Sequence, residues 1–137
     1  MHHIVEFRAR FVEEAKFDRE GSIVEPPGRN LAEDLRRRLE ALSYAATDLE
    51  MHSHYGWAFG AGIDGRRYWL ILAEGPSLST WALYISSNGL FSWLARSSEQ
   101  CHALATKLVS SLRQDELYSA ARVTSVRRLR DFGDIAL

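Results

Sequence analysis

Cysteine is almost missing from this chain: Cys101 stands alone among 137 residues. An internal disulfide is therefore excluded, and the usage fits a reducing compartment. An excess of charge of either sign is missing too. Seventeen basic residues against 18 acidic ones leave a net charge of -1. No global field then draws the protein to nucleic acid or to an acidic membrane, and neither is expected as a partner. Long apolar runs are absent. The longest uncharged stretch, Gly75 to Ala95, contains Pro76, several serines and Asn88-Gly89, and reads as strand, turn and loop rather than a membrane span. The first eight residues already carry charge, which is not the pattern of a signal peptide. A cytoplasmic location is the expectation.

Recognisable catalytic signatures are lacking as well. No Gly-x-Ser-x-Gly nucleophile motif occurs. Gly60-Ala61-Gly62 is not a phosphate loop, because neither a helix nor a Lys-Ser/Thr pair is expected after it. Those glycines are expected to make room for Trp69 across a hairpin. No cofactor is expected, and the chain is not read as an enzyme.

Large rings are what the chain has in quantity: four Trp, five Tyr and six Phe. Residues 1–137 are enough for one domain with a substantial core and too few for two. The register of that core is written between Tyr55 and Leu72. Asp64-Gly65 is the dipeptide a two-residue type I′ turn requires, since both of its central residues need positive φ. Pairing Ile63 with Arg66 then sets Ala61 against Tyr68, Phe59 against Leu70 and Trp57 against Leu72. One face of this hairpin collects Trp57, Phe59, Ile63, Tyr68, Leu70 and Leu72.

Around it, residues 4–11 alternate, with Val5, Phe7, Ala9 and Phe11 on one side and Glu6, Arg8 and Arg10 on the other, which predicts a half-buried strand. Glu13 to Gly21 reads as an exposed turn or excursion. After Pro26-Pro27-Gly28, Asn30 with Glu33 predicts an N-cap, followed by Leu31, Leu35, Leu39 and Leu42 at helical spacing. From Thr47 the period is two: Leu49, Met51, Tyr55, Trp57, Phe59, Ala61 and Ile63 hold odd positions, with a bend or bulge at Gly56. Arg67 to Ala73 and Trp81 to Ile85 are apolar on both faces, as central strands are. Asn88-Gly89 is a turn, and Ser97 with Gln100 caps a second helix with the stripe Cys101, Leu104, Ala105, Leu108, Val109 and Leu112. Ala121 to Leu129 predicts a last strand. The fold class that follows is α+β: a two-layer sandwich of an antiparallel sheet of five to six strands with two helices on one face, in the order β-α-β-β-β-β-α-β.

Four sets of residues are candidates for function. His52 and His54 share a strand face with Glu50, a set that could hold Zn, Cu, Fe or Ni, or could be strand-end histidines in solvent. Cys101 and His102 are adjacent and so point about 100° apart on a helix, which makes Cys101 a buried structural thiol rather than half of a Cys–His pair. The basic runs Arg36–Arg38 and Arg127-Arg128-Leu129-Arg130 sit among acids and read as ion-paired or solvated faces. The fourth set is the sheet face away from the helices, with Trp69, Ile71, Trp81 and Tyr84 as partner-binding residues, because exposed Trp and Tyr dominate binding hot spots. The alternative is that residues 12–28 or the tail fold over that face.

The passages Pro26-Pro27-Gly28-Arg29-Asn30-Leu31-Ala32-Glu33, Tyr55-Gly56-Trp57 and Tyr68-Trp69, spread over residues 4–86, resemble those of small bacterial α+β proteins of immunity-protein or secretion-chaperone build. The resemblance implies a non-enzymatic protein that binds a partner protein and carries over no individual site residue. The rival readings are a small-molecule or metal protein built on His52, His54 and Glu50, and a structural homodimer joined through the second sheet face.

Overall fold

A computed structural model describes residues 2–10, 15–52, 56–75, 79–88 and 95–126. In chain order the described elements are β1 (His2–Ala9), β2 (Lys16–Phe17), β3 (Ile23–Glu25), α1 (Arg29–Ala41), β4 (Ala45–Ala46), β5 (Glu50–His52), β6 (Gly56–Ile63), β7 (Arg66–Glu74), β8 (Thr80–Asn88), α2 (Ala95–Arg113) and β9 (Tyr118–Val126). The main sheet runs β4-β6-β7-β8-β1-β9, with β5 also on β6, so β4 and β5 act as one interrupted edge strand. Every pairing in it is antiparallel. With the two helices, this is the expected α+β sandwich.

The hairpin has the expected register. Ile63 pairs with Arg66, Ala61 with Tyr68, Phe59 with Leu70 and Trp57 with Leu72. Asp64 and Gly65 both have positive φ, 50° and 76°. Directly paired residues share a face, and the face that holds Trp57, Phe59, Tyr68, Leu70 and Leu72 is packed by Leu31, Leu35 and Leu39 of α1 and by the whole predicted stripe of α2, Cys101 to Leu112. Both helices therefore cover the same side.

Four local expectations are corrected. The period-two pattern around Gly56 is not one bent strand: Met51 pairs with Trp57 and His52 with Gly56, so β5 folds back on β6. Alternation is blind to this, since residues 51 and 57 are both odd whether the chain runs on or returns. Gly56 is needed for contact, because a Cβ there would stand 2.0 Å from the Leu72 carbonyl oxygen. Gly60 makes room for Thr47 and not for Trp69; its Cβ would meet the Thr47 side chain at 3.3 Å, and its N–H donates to Thr47 Oγ1 at 2.7 Å. Asn30 does not cap α1. The helix is entered through Gly28 at φ 101°, with no side-chain cap, a conformation glycine adopts without strain. Ser97 likewise lies inside α2, which runs from Ala95. Phe11, Gly89 and residues 127–129, to which expected strands or turns extended, lie outside the described residues.

The excursion read over Glu13–Gly21 contains a two-stranded ribbon, β2 with β3. Asp18 Oδ1 accepts from the N–H groups of Glu20 and Ser22 at 3.0 and 2.9 Å, Lys16 pairs with Glu25 at 3.2 Å and Glu25 with Arg29 at 3.4 Å. The following segment is docked to the sheet by Trp57 Nε1, which donates to the Pro26 carbonyl at 3.1 Å.

Where α1, α2 and β9 meet, one arginine ties them together. Arg38 reaches Asp34 at 2.8 Å, pairs with Asp115 and donates to Ser111 Oγ at 3.2 Å. Its guanidinium lies 4.8 Å from the centroid of the Tyr118 ring, whose hydroxyl donates to Asp34. The Leu117 N–H, and then Arg38, hold the Asp115 carboxyl below the usual carboxylate range.

Gly65→Val should cost about 1–2 kcal/mol or more through positive φ alone, since nothing lies within 4 Å of a Cβ at that position; the urea midpoint measures it, and an unchanged midpoint would contradict the turn. A carboxyl with a lowered folded pKa stabilises the fold above its unfolded value, near 3.9, and loses that contribution as pH falls through the folded value. Asp115→Asn should therefore lower the urea midpoint above about pH 5, with the gap to wild type closing as pH drops below about 4.

Candidate functional site

The face of the sheet turned away from both helices is organised in transverse rows, because each strand pair is in register. Glu50, Ala58, Ile71, Tyr84, Ile4 and Thr124 stand side by side in one row. His52, Gly56, Ala73, Ala82, Glu6 and Arg122 form the next. Beyond it Thr80 pairs with Arg8; on the other side of the first row Gly60, Trp69 and Ser86 stand together.

These rows sort the expected partner-binding residues. Trp69 and Ile71 lie on this face and are half-buried. Tyr84 lies there too but is not open: it is 5% exposed, clustered with Ile4, Ala73, Ala82 and Ile71. Burial, and then the nearby Glu6 charge, push its phenol pKa well up. Trp81 is on the other face. It is 6% exposed in the helix-side core, its ring 2.9 Å from where a Cβ on Gly28 would stand. Residues 81 and 84 are an odd number of positions apart, so a regular strand must point them to opposite sides. Of residues 12–28, Lys16–Phe17 and Ile23–Glu25 form the separate ribbon, while Pro26 and Gly28 meet Trp57 and Trp81, residues of the helix-side core; residues 12–14 and the tail after 126 lie outside the described residues.

Glu50 and His52 do share this face, at its far edge, in neighbouring rows; His54 lies outside the described residues. No group of three or more His, Cys, Asp or Glu side chains among the described residues is placed to hold a metal. Cys101 is buried as expected, and that burial raises its thiol pKa to about 11, with the Ser87 hydroxyl acting the other way. His102 has a ring neighbour that sequence spacing did not offer: His3, itself buried, at 5.5 Å between centroids. In the arginine triplet, Arg36 pairs with Glu33, Glu40 and Asp48 and Arg38 with Asp34 and Asp115. The run 127–130 lies outside the described residues.

Two surface features were not legible beforehand. The ribbon presents Phe17, 60% exposed, and Val24, 45% exposed, on a scaffold pinned by Asp18. At the Thr80–Arg8 end of the second face, a cavity of about 500 Å³ opens between β8, β1 and β9. It borders a β-bulge, where Glu6 pairs with Arg122 but Arg8 pairs with Ser119, and where Ala120 has φ 53°. Bulges of this kind re-aim side chains beside binding sites, and the only advance sign was Glu6 and Arg8 alternating with apolar residues in β1.

Comparisons with family models, with curated proteins and with solved structures find no match for this chain. No helix among the described residues is long and apolar enough to cross a membrane.

A buried thiol with a raised pKa reacts slowly, because the thiolate is the nucleophile. Native Cys101 should be alkylated by iodoacetamide at pH 8 about a hundredfold or more slower than in the urea-unfolded chain; comparable rates would show an accessible, activated thiol.

Proposed function

We propose that this protein is a non-enzymatic binding module for a partner protein, with Trp69 and Ile71 at the centre of the contact. The observation that carries the reading is the position of Trp69: half-buried on the sheet face opposite both helices, between Gly60 and Ser86, with exposed Arg67 two residues before it on the same strand. A large ring on a rigid central strand loses little conformational freedom on contact, which is why Trp anchors hot spots. The ribbon supports the same reading. Phe17 and Val24 are held out in a pre-organised arm, which lowers the entropic cost of binding. An immunity-like or chaperone-like role, covering a functional surface of the partner, is the job such a face suits. A free, buried Cys101 is in keeping with work in the cytoplasm. Self-association through the same strip is the rival.

Trp69→Ala separates these. On the proposed reading the variant stays folded and monomeric while capture of a partner from cell extract weakens by roughly 2 kcal/mol or more. Weakened sedimentation-detected self-association instead would assign the strip to a homodimer. A loss of about 3–5 kcal/mol of stability, with association unchanged, would overturn the interaction surface altogether.

A further inference from the structure

The geometry points to a second binding site on this protein: the cavity at the β-bulge end of the sheet takes a small organic monocarboxylate with an apolar body, its acid group held by Arg8. The site lies at the opposite end of the face from Trp69, since Thr80 and Ala82 border it while Ser86 stands beside Trp69. It therefore does not depend on the protein-binding reading.

Three observations carry the assignment. The first is size: about 500 Å³ falls in the range that small ligands fill. The second is charge. Among the described residues, three ionised side chains line the cavity: Glu6, Arg8 and Arg122. Arg122 is committed to Glu6, with Nε and Nη2 both 2.6 Å from Glu6 Oε2. Arg8 is exposed, and its side chain makes no hydrogen bond or ion pair among the described residues. Two arginines against one glutamate leave one positive charge, carried by Arg8. The third is the wall chemistry. Ala82 and Ala120 present small apolar surfaces, and the bulge at Ala120 interrupts the regular pairing beside Phe7.

The ligand class follows. A planar guanidinium with free donors matches a carboxylate in bidentate fashion. A monoanion cancels the single uncompensated charge, whereas a phosphate dianion would bring a second charge up against Glu6. An apolar body fits walls that offer few hydrogen-bonding groups, where a sugar or polyol would leave its hydroxyls unpaired.

The probe is 3-phenylpropionate, with its uncharged amide as control, titrated into the full chain and followed by backbone amide NMR shifts. The expected result is saturable shifts confined to residues 6–8, 80–82 and 120–122. Both the amide and Arg8→Gln should bind about tenfold or more weakly, as loss of a charge-assisted hydrogen bond implies. Arg8 makes no described contact that folding would miss, so circular dichroism of the variant should match wild type. Absence of saturation by about 10 mM, shifts centred on Trp69, or equal affinity of Arg8→Gln and wild type would each overturn the site.

Discussion

Antiparallel pairing of β6 with β7 around Asp64-Gly65 sets the side on which every later side chain falls. A slip of one residue would move Trp57, Phe59, Tyr68, Leu70 and Leu72 away from the helices together. Because β8 pairs with β7, and β1 with β8, in continuous register, the same choice reaches Val5 and Phe7 two strands beyond the hairpin. It also composes the opposite face, where Ile71, Tyr84 and Ile4 align in one row and Ala73, Ala82 and Glu6 in the next.

Two kinds of force then complete the molecule. The helix side is a broad apolar layer in which Leu31, Leu35, Leu39, Leu104, Leu108 and Leu112 are fully buried. Each such side chain contributes on the order of 1.5–3 kcal/mol by leaving water. The directional part is local. Arg38 links Asp34 on its own helix to Ser111 and Asp115 at the end of α2, and stacks on Tyr118 of β9. Burial opposes its charge, and the surrounding carboxylates outweigh that, so the guanidinium pKa is raised. An apolar layer alone would let helices slide; a shared arginine fixes how the ends of three elements meet.

The second face differs in kind. Its middle is buried and tightly composed, with Ile4 and Ala58 fully enclosed, while its two ends are open in different ways. One end shows a half-buried residue, Trp69. The other shows a cavity beside Arg8, whose side chain has no ion pair among the described residues.

Periodicity and turn chemistry in the sequence determined the α+β class, the Asp64-Gly65 hairpin with its register, both helical stripes and the burial of Cys101. These follow from local rules: a dipeptide with its φ demands, or spacing that puts apolar groups on one side. Tertiary structure alone decided the rest. Alternation could not tell a continuous strand at Gly56 from one folded back, because both leave Met51 and Trp57 on the same side. An apolar strand could not say which of Trp81 and Tyr84 faces the helices; pairing with β7 did. The Arg38 network joins residues up to 84 positions apart, and the cavity at Arg8 is assembled from three strands and a bulge. Such sites depend on which distant segments become neighbours, and no local pattern carries that.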